Sequence, residues 1–231
     1  MNPAKLSRKR VWFFAFPLAF ALVGLFHAPL LQLVAGVLIV DEVAPEHADV
    51  VAVAAGDEVL AAAIQTYQRG YTKSVILFQT ATRRVNAYEV LLPPEQLYQS
   101  RLVQVGVNEN SIIMIPSTDC NGEWREAHMI DEWLRKNTDK HVVILCSRFD
   151  SRRLRMTIDR VLPADLVGNV TVQGIPSQSY DETNWWRSRQ GWKAVFYNYI
   201  NFAYDWICGE DAEVVPKWDP DEFEDQLRKS I

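Results

Sequence analysis

The sequence predicts an α/β fold, with a mostly parallel sheet covered by helices on both faces and one transmembrane helix in front of it. Three observations carry this reading. Residues 11–40 contain no Asp, Glu, Lys or Arg. Residues 1–10 ahead of them hold Lys5, Arg8, Lys9 and Arg10 and no acid. Behind them, five short apolar runs of strand length alternate with stretches of helical periodicity.

The chain has 231 residues, 48% of them hydrophobic and 23% charged. That length suits one domain with appendages, and the composition is too apolar for a disordered chain. Three cysteines are too few for a disulfide-rich scaffold. Net charge is -5, and beyond residue 10 the chain carries 20 bases against 29 acids. A basic nucleic-acid binder is therefore excluded, and no nucleic-acid partner is expected.

Val11 to Ala28 is a stretch of 18 residues with His27 as its one strongly polar side chain, within the range of about 17–25 that crosses a bilayer as a helix. Pro29 reads as its stop, because proline lacks an N–H and disfavours helix before it. Trp12 sits beside the basic cluster, where an interfacial anchor belongs, and the positive-inside rule places residues 1–10 in the cytoplasm. The expected organisation is a cytoplasmic segment 1–10, an anchor 11–28, an extracytoplasmic α/β domain 29–207 and an acidic tail 208–231. The chain would be single-pass in the plasma (inner) membrane. A cleaved signal peptide also has a basic start and an apolar middle, but no clear A-x-A site follows this run. A buried core helix would leave the flanking charge unexplained.

Residues 29–40 read as a short helical piece leading into an apolar strand. DVVAVAA, residues 49–55, is the first domain strand. The helix after it places Leu60, Ile64 and Tyr67 on one stripe, with Gly70 at its end. KSVILFQ, 73–79, is the next strand, and residues 80–92 resist assignment. A helix then opens at the Pro93-Pro94 pair. SIIMIP, 111–116, is the third strand. Asn121 is placed to cap a helix with Ala127, Ile130 and Trp133 or Leu134 at helical spacing. HVVILCS, 141–147, is the clearest buried strand; SRRLRMTIDRVL follows as helix and NVTVQGI, 169–175, as the fifth strand. In the final helix Trp192, Val195, Phe196, Tyr199, Phe202, Ala203 and Trp206 share a stripe. The ordinary meaning of such a stripe is packing on the sheet; the alternative is a helix lying on a membrane surface.

Strands joined by such helices form βαβ units, whose ligands bind outside the carboxyl ends of the strands. That rule selects Ala55–Glu58, Gln79–Arg84, Ser117–Glu126 and Ser147–Arg153. The order of segments, with Ala54-Ala55-Gly56-Asp57, Gln79-Thr80-Ala81, Glu123 to Ala127, Cys146 to Arg153 and the closing NWWRSRQGWKAVFYNYINFAYDW, resembles the YdcF/SanA/ElyC-like family over roughly residues 29–207. The resemblance implies a Rossmann-like three-layer sandwich tethered to the bacterial envelope. It also implies an association with envelope integrity and with polysaccharide or lipid-carrier metabolism. Gly56, Glu126, Ser147 and Arg153 match the family's turns. The family's histidine after the fourth strand is Asp150 here; only Gly56 survives of its first glycine-rich turn, its Ser-Gly-Gly turn is Gln79-Thr80-Ala81, and Glu123 and Cys146 stand at threonine positions.

The residues themselves leave the site open between two readings. Arg152, Arg153 and Arg155 fall in the first turns of a helix, where cations oppose the dipole. An anion held by the free N–H groups and the guanidinium forks relieves that conflict. The competing reading has Asp150 capping the helix and the arginines paired with acids or in solvent. Asp57 and Glu58 open another helix, as capping acids or as a base. Glu123 and Glu126 share a helix face and make a candidate acid–base pair. The candidate catalytic residues are thus Asp57, Glu126 and Asp150, and the candidate ligand contacts are Gly56, Asp57, Gln79, Thr80, Asn121, Glu126, Ser147, Arg148, Arg152 and Arg153. Of the four histidines only His128 is placed to approach Ser147, and no G-x-S-x-G elbow exists. Metal-ligand spacings such as H-E-x-x-H and C-x-x-C are absent, and no cofactor is indicated. Cys120 and Cys146, in neighbouring strand-end loops, are read as free thiols, with a disulfide as the alternative. The expected function is an envelope protein binding a small anionic or phosphorylated ligand or an envelope precursor, as a transferase or hydrolase. The alternative is a non-catalytic scaffold on the same fold.

Overall fold

The computed structural model describes residues 24, 27–54, 56–79, 93–116, 122–210 and 229. The anchor expected over 11–28 therefore lies almost wholly outside the described residues, as do Thr80, Asn121, Cys120 and nearly all of the acidic tail. Among the described residues no helix is long and apolar enough to cross a membrane.

The architecture is α/β. Five strands form one parallel sheet: β1 (Val50–Val53), β2 (Ser74–Phe78), β3 (Ile112–Ile115), β4 (Val142–Ser147) and β5 (Val170–Ile175). The spatial order is β3-β2-β1-β4-β5. A helix precedes the sheet, α1 (residues 27–36). The others are α2 (Asp57–Gln68), α3 (Pro94–Gln104), α4 (Gly122–Lys136), α5 (Ser151–Val161) and α6 (Arg189–Cys208).

The strands are apolar on both faces because both faces are covered. Alternate residues divide between two cores. Val50, Ala52, Ile76, Ile144 and Val172 pack with Ala127, Ile130 and Leu134 of α4 and Leu154 and Ile158 of α5. Val51, Val53, Val75, Leu77, Val143 and Leu145 pack with Val59, Leu60 and Ala63 of α2 and Leu102 of α3. Each of these fully buried Val, Leu or Ile side chains contributes about 1.5–3 kcal/mol relative to exposure. The helices thus form outer layers on both sides of the sheet, as the alternating pattern requires.

Local chemistry sets the helix ends. Pro94 opens α3 at a position where the missing N–H costs nothing. Gly70, at φ +71°, closes α2. Its N–H donates to the Tyr67 carbonyl at 2.9 Å and the Tyr71 N–H to the Thr66 carbonyl at 3.0 Å, which is the Schellman pattern.

Two expectations need correction. Pro29 does not end a helix, since residues 27–36 are helical around it. The segment after α1 is no strand. Leu38 and Ile39 are buried in a third cluster with Ala35, Phe149, Trp185 and Val195, and only Asp41 makes an isolated antiparallel bridge, to Gln173.

A third correction concerns α6. Its buried side is Gly191, Val195, Asn198 and Asp205, with Tyr199 and Phe202 partly covered. Trp192, Phe196 and Trp206, expected in the core, are exposed. The helix approaches the turn before it closely. A Cβ on Gly191 would lie 2.2 Å from the Trp185 carbonyl oxygen and 2.7 Å from its Cα. Backbone cannot yield as a flexible side chain does. Gly191→Ala is therefore expected to cost about 3 kcal/mol, read as a lower urea midpoint for the full chain in detergent. A midpoint equal to wild type would contradict this packing.

Candidate functional site

In a sheet of order 3-2-1-4-5 the connections run outward from β1 to β3 and then cross to β4 on its other side. The crevice between the carboxyl ends of β1 and β4 is the topological switch point. The sequence delivers Gly56, Asp57 and Glu58 there after β1, and Ser147 to Asp150 after β4. Gly56 has φ +130°, a conformation only glycine holds without strain. Its N–H donates to the Tyr98 hydroxyl at 3.2 Å.

The chemistry gathers around Arg153. Its guanidinium pairs with Glu123 of α4, lies 3.5 Å from Asp150 and 3.4 Å from Asp205 of α6. Arg153 is 13% exposed and Asp205 12%, so these charges are largely out of water. Asp150 does not cap α5. Its carboxylate faces Arg153, Ser147 and Asn198 instead, each of which favours its charged form. Burial raises Asp150 and Glu123 above the usual carboxylate range, and Arg153 offsets part of that rise in both.

Glu126 stands one helical turn beyond Glu123 on α4 and is buried. Its carboxyl is pushed up to about 8, first by burial and then by the charge of Glu123. Arg125 and Arg153 pull it down and Asp150 pushes it up, each less strongly. Glu126 lines a cavity of about 110 Å³ at the carboxyl ends of β1 and β2, with Val53, Ala54, Phe78, Tyr98 and Arg125. At neutral pH it is therefore mostly a neutral acid, able to give a proton, with the Glu123 and Asp150 carboxyls nearby.

A wider groove of about 840 Å³ opens between Glu58, Ser177, Tyr180 and the Lys193 and Tyr197 side of α6. Tyr180 is raised by burial and by the charges of Glu58 and Asp150, which links the groove to the carboxylate cluster. The Ser177 hydroxyl donates to Glu58 at 3.3 Å.

The other expected contacts go elsewhere. Arg148 makes a bidentate pair with Glu182, at 2.7 Å for both bonds, and reaches Asp41 at 3.1 Å. Arg152 donates to the Val37 and Ile39 carbonyls just after α1, at 3.2 and 2.9 Å. Arg155 pairs with Glu42 and Asp159. These guanidinium groups staple the 37–42 segment and neighbouring loop to the body, and no convergent clamp for an anion forms from them. Asp57 is an exposed partner of Arg101 at 2.9 Å, turned toward α3. The Gln79 N–H extends the β2–β3 ladder to the Ile115 carbonyl at 2.9 Å. His128 pairs with Glu210 at 2.9 Å rather than with Ser147. Cys146 is a free buried thiol, raised well above its ordinary value by burial and nearby carboxylates, so it is not a thiolate nucleophile.

Sequence reasoning missed Asn198 and Asp205. Their signal was present: Gly191, Val195, Asn198, Phe202 and Asp205 follow a 3.5-residue repeat, and two polar groups on a buried stripe mark a buried polar contact. Among the described residues no group of three or more His, Cys, Asp and Glu is placed to hold a metal ion. Comparison with protein-family models, with curated proteins and with solved structures finds no match to this chain.

Proposed function

We propose that this chain is a membrane-anchored envelope protein of the YdcF/SanA/ElyC-like kind that acts as a hydrolase or transferase by acid–base catalysis on a small polar ligand. The parallel sheet with its switch-point crevice and the segment order support the family reading, and the basic, then charge-free N-terminus supports the anchor. The observation that carries the chemistry is the buried Glu126 carboxyl, held protonated at neutral pH where it lines the cavity.

In this reading Glu126 gives its proton to the leaving oxygen as the bond to the transferred group breaks. Asp150, whose charged form Arg153 favours, takes the proton of the attacking water or hydroxyl. Arg153 is outnumbered by Glu123, Asp150 and Asp205, so the cluster is net negative and favours a neutral, hydroxylated ligand over the phosphorylated one that the arginine run suggested. A non-catalytic scaffold takes its support from the engagement of Arg148, Arg152 and Arg155 in structural pairs.

The test is a panel of neutral chromogenic esters and glycosides, with phosphorylated analogues alongside, turned over by the full chain in detergent. Turnover of a neutral member that declines as pH passes about 8 and is lost in Glu126→Gln is the expected result. Thermal stabilisation by phosphorylated compounds alone, abolished by Arg153→Ala, would return the site to anion binding. No turnover and no stabilisation would favour the scaffold.

A further inference from the structure

We infer that the outer face of α6 lies on the lipid bilayer as an interfacial helix. This rests on the anchored reading above and adds a second, lateral membrane contact to it. Along α6, Trp192, Phe196, Tyr197, Ile200 and Ile207 are 41%, 56%, 66%, 67% and 80% exposed. Trp192, Phe196 and Ile200 recur every fourth residue, and Trp192 stacks on Phe196 at 5.3 Å. Soluble surfaces scatter such side chains singly, and a continuous stripe of them marks a contact face.

The place where the anchored chain joins the body says what that contact is. α6 packs directly against α1. The Trp185 indole, in the turn that opens α6, donates to the Leu31 carbonyl at 3.0 Å, and the Tyr199 hydroxyl donates to the Val34 carbonyl. Leu31 is three residues beyond the expected end of the apolar run at Ala28, about 5 Å of helix. In the anchored reading the membrane therefore meets the body next to α6. α1 itself exposes Leu30 and Leu33, and Val37 just after it is exposed as well.

The charge on α6 fits the same occupant. Its one acid, Asp205, is buried against Arg153, while Arg189 and Lys193 lie near its start, where anionic headgroups would meet them. Trp and Tyr are the side chains that settle at headgroup depth, with an apolar body and a polar tip. A helix of 20 residues in the membrane plane also holds the groove beside Tyr197 at the lipid surface.

The experiment uses the full chain with Cys120→Ser and Cys208→Ser, in nanodiscs of phosphatidylethanolamine and phosphatidylglycerol. Spin labels are placed one at a time through Ala19→Cys, Gln65→Cys, Ile200→Cys and Ile207→Cys. The ratio of collisions with oxygen to collisions with a water-soluble nickel chelate reads depth. Ratios at 200 and 207 several-fold above that at 65 are expected. A lipid-like ratio at 19 with water-like ratios at 200 and 207 would overturn the docking and leave the anchor standing. Water-like ratios at all four positions would overturn both. Low collision rates with both reagents at 200, with dipolar broadening between labels, would show a second copy on this face and overturn the bilayer as its occupant.

Discussion

Replacing Arg153 with methionine is expected to destabilise the fold by about 3–5 kcal/mol at pH 7, the range for removing one partner of a buried ion pair. The methionine fills most of the volume but leaves Glu123, Asp150 and Asp205 facing one another with no cation among them. The cost is electrostatic, so it should shrink as pH falls. Burial already raises Glu123 and Asp150, and without Arg153 they protonate more readily still. Arg153→Met/Glu123→Gln should recover part of the loss, because the two sites share one network and their effects do not add. Arg153→Lys should fall between, keeping the charge while losing the planar fork that meets several carboxylates at once. Urea unfolding at pH 5 and pH 7 reads all of these. A loss below about 1 kcal/mol for Arg153→Met would place the pair in the class of surface ion pairs instead.

Glu126→Gln should change the pH dependence of stability more than any other single substitution. The carboxyl binds a proton in the folded chain up to about 8, whereas its ordinary value is 4.5. Between those values the folded state holds more protons than the unfolded state, so stability falls as pH rises, by up to about 1.4 kcal/mol per unit, and levels off above the folded value. Glu123 and Asp150, also raised by burial, add a decline of the same sign. Arg125 and Arg153, the cations that face Glu126, moderate the slope. The glutamine variant keeps the shape and cannot ionise. Its melting temperature should stay nearly flat from pH 6 to 8 and exceed that of wild type at pH 8. Parallel curves for the two proteins would show that Glu126 is ionised in the fold like an ordinary surface acid.

Much of the sheet was legible because its strands have a single physical explanation. HVVILCS is apolar at successive positions, which a strand covered on both faces requires. The helix of Glu123 and Glu126 was legible from Ala127, Ile130 and Leu134. α6 was not, because large side chains at helical spacing say only that the helix has an apolar face. Gly191, Val195 and Asn198 turned inward, while Trp192 and Phe196 on the adjoining face did not. At the site, Glu126, Ser147 and Asp150 could be named from strand ends, since topology alone places them there. The arginines could not be sorted. Their side chains are long, and only Arg153 reaches the carboxylates, while Arg148 and Arg152 hold the segment after α1. Asp205 comes from the far end of a helix about 50 residues later in the chain, a contact that spacing cannot disclose.

Acid–base catalysis at this site requires one carboxyl, that of Glu126, to hold its proton at neutral pH. Carbon-13 NMR of the side-chain carboxyl of Glu126, in the selectively labelled full chain in detergent and assigned by its loss in Glu126→Gln, follows that state directly. A single titration centred near 8 is expected, well above 4.5. A midpoint at the ordinary glutamate value would mean that Glu126 is charged at neutral pH and has no proton to give.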